Sequence, residues 1–483
     1  MAFNSYEFLL FLPLVFALYF ILPKKVRHIE LLIASYVFYG FYNPKLLALI
    51  LFTTLCAYVF AIVLNKTEKR WLRTLFFVSS IVLITGVLIY FKYFNFIFET
   101  IAGVFRFEYN ALDIILPVGI SFYTFQTLSY VIDVYRKKIE PEKNILYFAL
   151  YVSFFPQLVA GPIERPDNLI PQLKKKDGIN IDNLKIGLKY ILSGYVKKIC
   201  IADMISVFVN PIFNDIQNAN GLLVFIGSIF FAIQIYGDFA GYSDIAIGTA
   251  KLFNIDLMKN FDEPYRSASI KEFWNRWHIS LSKWLRDYIY YPMGGSRTNE
   301  FRWVINTIVV FFISGLWHGA AFTFIIWGLL HALFKIIGKY TLKIRNTAYT
   351  KIKLNVEGKA VKVIRTIITF LLVCFAWIAF RSNSIAEMFE AYAKLFTDWS
   401  LTQSYFANVS SILNLNLSSV IVIVSIVVLL IFVSILNTKR FSDSKELSIA
   451  RKTSYIILSW CVIVCFIYLK TQNLDSSFIY FRF

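Results

Sequence analysis

The sequence predicts an all-α polytopic integral membrane protein, with about ten to twelve spanning helices and additional interfacial or re-entrant helices. Three observations support this fold class: 58% of the 483 residues are hydrophobic, only 16% are charged, and the mean hydropathy is +0.61. Soluble domains contain roughly 45–50% apolar and about 25% charged residues. The composition therefore excludes a soluble globular enzyme, a disordered chain and a small disulfide-stapled domain.

Apolar segments close to the roughly 20 residues needed to cross a bilayer recur along the chain. They cover residues 6–22, 29–42 continuing to 46–64, 74–91, 114–135, 145–160, 189–212, 222–237, 304–334, 363–380, 417–437 and 454–470. The run 304–334 contains no Asp, Glu, Lys or Arg and is too long for one crossing, so we expect two helices meeting around Ser314–Ala320. The run 145–160 suits a re-entrant segment. We find no internal repeat or long linker, and expect a single membrane domain over residues 1–483.

The positive charges predict the orientation. Basic residues follow the first apolar run instead of preceding it, which favours a retained first helix with its N-terminus outside over a cleaved signal peptide. Nine Lys or Arg lie in 335–365, which indicates a cytoplasmic loop, whereas 396–417 holds one charge and indicates an external loop. Both termini are then extracytoplasmic. This bias and attraction to the lipid bilayer account for the net charge of +19 without nucleic acid.

The stretch 265–303 is unusually basic and rich in tryptophan for a membrane protein. Its apolar residues recur at helical spacing and predict one amphipathic face, formed by Phe273, Trp277, Leu281, Trp284 and Tyr288. One interpretation is a plain interfacial helix. The other is a ligand surface, in which Arg276, Lys283 and Arg286 face lipid phosphate or the phosphates of a molecule such as coenzyme A. His278 lies in this stretch, although a lone histidine is more often structural.

A second histidine, His318, lies within the uncharged run, in the motif SGLWHG. An ionisable residue at membrane depth is costly and usually marks a functional site or a polar cavity. Small residues on both sides permit close backbone approach or a helix break. An imidazole can accept a hydroxyl proton during acyl transfer, so we favour a functional role for His318 over an interhelical hydrogen bond. For His331 we favour the structural role. The five cysteines form no CxxC motif or Cys/His cluster, and no metal site is predicted.

Polar residues also interrupt the apolar region QIYGDFAGYSD, where Asp238 and Asp244 stand six residues apart among glycines. These carboxylates could line a polar tunnel, relay protons in a transporter, or pair with arginines of 266–286. The chain then ends in FIYFRF. This ending is either an aromatic anchor at the membrane interface or a phenol-bearing acyl acceptor on the outer face.

These motifs together resemble the membrane-bound O-acyltransferase superfamily. The string WNRWHISLSKWLRDYIYYP, followed by GLWHG with its histidine 40 residues after the first, carries the resemblance. PVGISFYTFQTLSYVIDVYR, FPQLVAGPIERP, IYGDFAGYSDIAIG and the FIYFRF ending are similar to the branch that acetylates bacterial alginate and peptidoglycan. The resemblance runs along the whole chain, with a signature core over about 115–335 and an extracytoplasmic tail at 478–483. Arg482 departs from the uncharged residue that is more usual there.

The resemblance implies about eleven spanning helices around a central funnel and tunnel, with acetyl-coenzyme A as a donor substrate and no permanently bound cofactor. It makes His318 the principal catalytic residue and His278 the second signature histidine. Tyr480 is then a candidate acyl relay to an extracytoplasmic partner transferase of the SGNH-like type, which modifies the polysaccharide. The residues expected near the coenzyme are Arg276, Trp277, Lys283 and Arg286. Those expected along the tunnel are Gln234, Asp238, Tyr242, Asp244 and Trp317.

Three alternatives stay open at the level of the sequence. The donor group could be D-alanyl, although the chain length and the FIYFRF ending favour acetyl. The acceptor could be a lipid or a protein, which would require neither the tail tyrosine nor an external partner. The protein could also be a saccharide transporter or flippase in the cytoplasmic membrane, but such folds usually contain inverted repeats. The acceptor polymer is not readable from the residues.

Overall fold

The computed structural model describes residues 1–159, 161–175, 177–436, 448–471 and 478–479, and within these ranges the regular structure is helical. The chain divides into two compact units. One consists of Met1–Ile191 with Tyr242–Asn260, and the other of Leu192–Gly241 with Phe261–Phe483. Both histidines of the signature motifs lie in the second unit. The single membrane domain expected from the sequence stays a prediction.

The first unit consists mainly of apolar helices and short buried ones. Its helices are α1 Tyr6–Ile21, α2 Arg27–Gly40, α3 Leu47–Lys66, α4 Arg70–Leu88, α5 Phe94–Phe105, α6 Ile120–Tyr135, α7 Ile145–Ser153, α8 Phe155–Leu158, α9 Pro166–Leu173 and most of α10 Ile181–Tyr195. A π-helical segment, Ile89–Tyr93, joins α4 to α5. Helices α7 and α8 are largely buried and too short to cross a bilayer. The re-entrant segment over 145–160 stays a prediction.

The second unit contains the remaining helices. They are α11 Met204–Asn214, α12 Gly221–Leu252 (whose last turns belong to the first unit), α13 Ile270–Arg276, α14 Ile279–Leu285, α15 Glu300–His318, α16 Phe322–Tyr340, α17 Leu342–Lys351, α18 Lys359–Arg381, α19 Ile385–Thr397, α20 Gln403–Ile412, α21 Leu417–Leu436 and α22 Ser448–Thr471. Two further π-helical segments, Val196–Asp203 and Arg286–Tyr290, precede α11 and follow α14. The two helices expected within 304–334 are confirmed as α15 and α16.

Seven helices of the described residues are long and apolar enough to span a membrane, or eight if α20 and α21, bent by 71°, form one span. This supports a multi-pass membrane protein but does not confirm the count of about eleven. Five of the expected segments do not qualify. Residues 6–22 and 29–42 fold as the 16-residue α1 and the 14-residue α2, 114–135 contains the 16-residue α6, 145–160 contains the short α7 and α8, and 189–212 folds as part of α10, a π-helical segment and α11. Apolar composition alone does not distinguish a helix buried in protein from one that crosses lipid.

Candidate active site

The tryptophan-rich segment folds as two short helices that meet at His278. Helix α13 begins with a capping arrangement, in which the Ser269 hydroxyl accepts a hydrogen bond from the amide of Glu272 and the Glu272 carboxylate accepts one from the amide of Ala268. The α-helical backbone is then interrupted at His278, whose φ of 42° lies in the left-handed region. The expected single amphipathic helix is therefore wrong, since an α-helix cannot continue through a residue at positive φ.

The apolar face of this segment is also buried instead of interfacial. Phe273, Trp277 and Leu281 are at most 1% exposed. The ring of Trp277 packs between Phe261 and Trp377, with ring centroids 5.0 and 5.1 Å away. These aromatic contacts hold α13 and α14 within the protein, so that their basic residues, and not their apolar face, reach accessible space.

His278 and His318 lie beside each other in a buried aromatic cluster. Their ring centroids are 6.4 Å apart, and their exposed fractions are 0% and 2%. Phe239 and Trp317 pack edge-on against His278 at 4.7 and 5.4 Å. Burial lowers the pKa of His278 to about 3, so its imidazole is neutral at physiological pH. The structure thus brings together two histidines that are 40 residues apart in the sequence.

The backbone around His318 depends on close packing between α15 and α16. His318 ends α15, and the ring centroid of Trp327 on α16 is 4.8 Å from that of His318. A Cβ on Gly315 would collide with the carbonyl oxygen of Phe324, and one on Gly328 with that of Phe311. The small residues of the SGLWHG motif are therefore needed to bring α16 against the histidine.

His331 is held by a hydrogen bond within an aromatic cage. The indole Nε1 of Trp274 donates to its Nδ1 at 3.3 Å, which leaves the ring proton on Nε2. His331 is completely buried, and Trp327 lies 5.1 Å from it between ring centroids. This contact fits the structural role favoured for His331 from the sequence.

The polar residues of α12 fall into both units. In the second unit, Asp238 forms an ion pair with Lys198 at 2.7 Å, so the alternative in which it pairs with an arginine of 266–286 is wrong. Gln234, one turn earlier, is buried. In the first unit, the Tyr242 hydroxyl accepts a hydrogen bond from the amide of Phe3, and Asp244 is half-buried. Lys198 was not predicted as a partner of Asp238, because in the sequence it is only a charged residue within the apolar segment 189–212.

A cavity of about 920 Å³ lies in the second unit, between α13–α14 and α15–α18. Two of the four residues expected near the coenzyme, Lys283 and Arg286, line it, whereas Trp277 and Arg276 do not. Arg276 instead pairs with Glu272 at 3.0 Å. The other basic residues of the lining are Lys271, Lys335, Lys339, Arg345 and Arg365. Lys335, Lys339, Arg345 and Arg365 were not predicted as site residues, because they lie in 335–365, whose basic residues indicate a cytoplasmic loop.

The cavity is strongly positive and reaches close to the histidines. Its lining contains seven basic side chains and one acidic side chain, Glu300, which pairs with Lys339 at 2.7 Å. Ser314 of α15 also lines the cavity, one turn before His318. Its hydroxyl is buried and has no hydrogen-bond partner among the described residues. Within those residues no three His, Cys, Asp or Glu side chains form a group suited to a metal ion.

Phe478 and Ile479, the described residues of the FIYFRF ending, lie against α12 within the second unit. The amide of Ile479 donates a 2.6 Å hydrogen bond to the carboxylate of Asp238. The ring of Phe478, 1% exposed, packs against Phe239 with centroids 5.9 Å apart. Tyr480 lies outside the described residues. The segment that precedes it is thus bound to the aromatic residue that also contacts His278.

Comparison with known proteins is consistent with these features. The family model of the membrane-bound O-acyltransferases matches residues 141–385. The chain is 36% identical over 425 residues to a probable alginate O-acetylase of Pseudomonas aeruginosa, covering 85% of this chain and 78% of that protein. It is 33% identical over 406 residues to a peptidoglycan O-acetyltransferase of Helicobacter pylori, covering 78% and 76%.

A more limited match is to a teichoic acid D-alanyltransferase of Bacillus subtilis, which is 31% identical over 288 residues and covers 56% of this chain and 70% of that protein. The matched family region contains both His278 and His318, the cavity-lining helices and the polar stretch of α12. With its apolar helices and its extensive similarity to these enzymes, the chain is a multi-pass membrane O-acyltransferase and belongs to the membrane-bound O-acyltransferase family.

Proposed function

We propose that this protein transfers an acetyl group from acetyl-coenzyme A in the cytoplasm across the cytoplasmic membrane, for O-acetylation of a cell-envelope polysaccharide such as alginate or peptidoglycan. The observation that carries this proposal is the meeting of three parts: the ring of His278 lies 6.4 Å from that of His318, and Phe239 contacts both His278 and Phe478 of the C-terminal segment. The names of the alginate and peptidoglycan relatives support an acetyl group and a polysaccharide acceptor.

The positive cavity is the proposed donor site. Its volume of about 920 Å³ is within the usual range of about 300–1,000 Å³ for small-molecule pockets. Basic side chains suit the phosphates of coenzyme A, and Lys283 and Arg286 are in the lining together with five further cations. Ser314 connects this cavity to the histidines, because residues four apart lie on the same face of a helix. The thioester would then enter beside His318.

The proposed chemistry is acyl transfer with His318 as general base. His318 accepts the proton of the attacking hydroxyl, a new C–O bond forms at the thioester carbonyl, and the C–S bond breaks. The proton then passes from His318 to the leaving sulfur, which gives the free thiol of coenzyme A. Neutral His278 cannot supply a second proton near pH 7, and its N–H is suited to stabilise the developing oxyanion. A water-poor pocket strengthens both interactions.

Tyr480 is the proposed first acceptor. Its phenol would receive the acetyl group as an ester near His318, and an extracytoplasmic partner transferase of the SGNH-like type would move the group to the polymer hydroxyl and regenerate the phenol. The docking of Phe478 and Ile479 beside Phe239 and Asp238 supports a tail that approaches the histidines. The external location of both termini follows from the positive-inside distribution.

Radiolabelled acetyl-coenzyme A and the purified protein in lipid vesicles test this mechanism. We expect His318→Ala to lower thioester consumption by about 10²–10⁴-fold, as for the loss of a general base. We expect Tyr480→Phe to lose the covalent label on the protein. Tyr468→Phe, on an exposed position of α22, is the matched control and should label normally. Wild-type turnover in His318→Ala would contradict the catalytic role, and normal labelling in Tyr480→Phe would contradict the relay.

The same vesicles distinguish the second candidate function, D-alanyl transfer, which the Bacillus subtilis relative suggests. That relative matches 56% of this chain, compared with 85% for the alginate relative, so the acetyl group is favoured. If the protein is labelled by a D-alanyl thioester and not by acetyl-coenzyme A, D-alanyl transfer is favoured over acetyl transfer.

A further inference from the structure

A buried ionic cluster lies next to the proposed catalytic site without being part of its acyl-transfer chemistry. The Lys198 ammonium contacts the carboxylates of Asp203 and Asp238, each at 2.7 Å. The exposed side-chain fractions are 0% for Lys198, 4% for Asp203 and 3% for Asp238. Charges buried to this extent are costly unless they are paired and hydrogen-bonded. The core therefore tolerates these three charges because the Lys198 ammonium pairs with both carboxylates.

Asp238 uses its two oxygens for different partners. Oδ1 contacts the Lys198 ammonium, while Oδ2 accepts the 2.6 Å hydrogen bond from the Ile479 amide. A carboxylate is the acceptor that can satisfy two donors on opposite oxygens. The cluster thus connects the π-helical segment Val196–Asp203 to α12 and, through α12, to the C-terminal segment.

The next residue of α12 makes the second contact to that segment. Phe239 packs against Phe478 and, at 4.7 Å, against His278. Two consecutive residues of one helix therefore bind the backbone and a side chain of the same short segment. Since Tyr480 directly follows Ile479 in the sequence, fixing Ile479 restricts the distance that the phenol can have from the histidines.

We propose that Asp238 is a positioning residue that docks the C-terminal segment for acyl transfer, and that Lys198, supported by Asp203, holds its carboxylate in position. This rests on the proposed function, in which Tyr480 receives the acetyl group. Docking raises the effective concentration of the phenol at the thioester. Asp238 acts through the tail and touches neither donor nor reacting atoms in this role.

Asp238→Asn is the isosteric test. An amide has one acceptor oxygen, so Asn can accept from Lys198 or from Ile479 but must direct its NH₂ group at the other donor. We expect hydrogen exchange of the Ile479 amide, read by mass spectrometry of C-terminal peptides from the full-length protein, to become at least about tenfold faster. We expect tail labelling to lose about tenfold in kcat, with the KM for acetyl-coenzyme A unchanged. Glu390→Gln, which removes a lysine-paired carboxylate from α19, is the control.

A second pair of variants leaves the buried cluster intact. Ile479→Pro removes the N–H that Asp238 binds, and Ile479→Val keeps it. We expect slow labelling in Ile479→Pro and normal labelling in Ile479→Val. This result would support the docking proposal even if Asp238→Asn does not fold. Equal labelling in the two would overturn the docking proposal, as would wild-type exchange at Ile479 in Asp238→Asn.

The exchange measurement separates this proposal from the relay. If Tyr480→Phe labels normally, the relay is wrong, yet faster exchange at Ile479 in Asp238→Asn would still establish that Asp238 docks the segment. If Tyr480→Phe loses the label while Asp238→Asn exchanges and labels as wild type does, the relay stands and the docking role of Asp238 is wrong.

Discussion

His278 adopts a left-handed backbone conformation, with φ 42° and ψ 56°, that residues other than glycine rarely adopt. A left-handed residue costs roughly 1–2 kcal/mol, and it persists where the surrounding packing determines it. Phe239 and Trp317 supply that packing here. The helical spacing of apolar residues through this stretch did not predict the break between α13 and α14. Periodicity indicates which residues face the core and not where the backbone turns.

Burial of His278 predicts a pH dependence of stability. Its pKa is about 3 in the folded protein, against about 6.5 when unfolded. Below pH 6.5 the unfolded chain binds a proton that the folded chain excludes, so stability is full above that pH and decreases by about 1.4 kcal/mol per pH unit as the pH falls toward 3. In detergent, the Tm of wild type should therefore fall more steeply between pH 7 and 5 than that of His278→Gln. Parallel Tm curves would contradict the assignment.

At the scale of elements, the α15–α16 hairpin explains why the SGLWHG motif contains its glycines. Gly315 and Gly328 allow the two helices to approach to backbone contact, and this brings Trp327 against His318. Small residues commonly serve this purpose in membrane helix pairs. The hairpin was predictable because an uncharged run over 304–334 is too long for one crossing. The close approach of the two helices at Gly315 and Gly328 was not predictable, because it depends on how the helices align.

Gly328→Ala tests this packing. The added methyl would collide with the Phe311 carbonyl oxygen, and overpacking of this kind typically costs about 1–3 kcal/mol. We expect a lower Tm and reduced thioester turnover, since Trp327 and His318 would move apart. Gly86→Ala is the matched control: it lies within α4, and a Cβ there meets no atom within 4 Å. A Gly328→Ala protein as stable as Gly86→Ala would show that the close contact is dispensable.

At the scale of the whole molecule, the excess of basic residues behind the net charge of +19 has two interpretations. From the sequence alone, the basic residues of 335–365 indicate the orientation of the chain. The structure places four of them, Lys335, Lys339, Arg345 and Arg365, around the cavity with Lys283 and Arg286. Both interpretations are compatible, because a cytoplasmic loop rich in lysine and arginine is also where an anionic cytoplasmic donor would arrive.

Charge reversal in the cavity tests the donor site. We expect Lys283→Glu to raise the KM for acetyl-coenzyme A about tenfold with little change in kcat, because it places a negative charge near the donor's phosphates. The effect should shrink at high salt, where the Debye length falls from about 8 Å at 0.15 M to about 3 Å at 1 M. Lys351→Glu changes the net charge equally at an exposed position outside the cavity lining and serves as control. Equal KM values for the two variants would rule out this donor site.

The sequence by itself determined the membrane class, the helical hairpin over 304–334, the enzyme family and the two histidines, because composition, charge and motif spacing are local properties of the chain. It did not fix the number of spans, since short buried helices such as α6 and α7 are also apolar. Only the tertiary structure decided that His278 and His318 meet, that Lys198 pairs with Asp238, and that Asp238 binds Ile479. These contacts join residues 40 or more positions apart, and such pairings depend on how helices pack and on which buried charges must find partners.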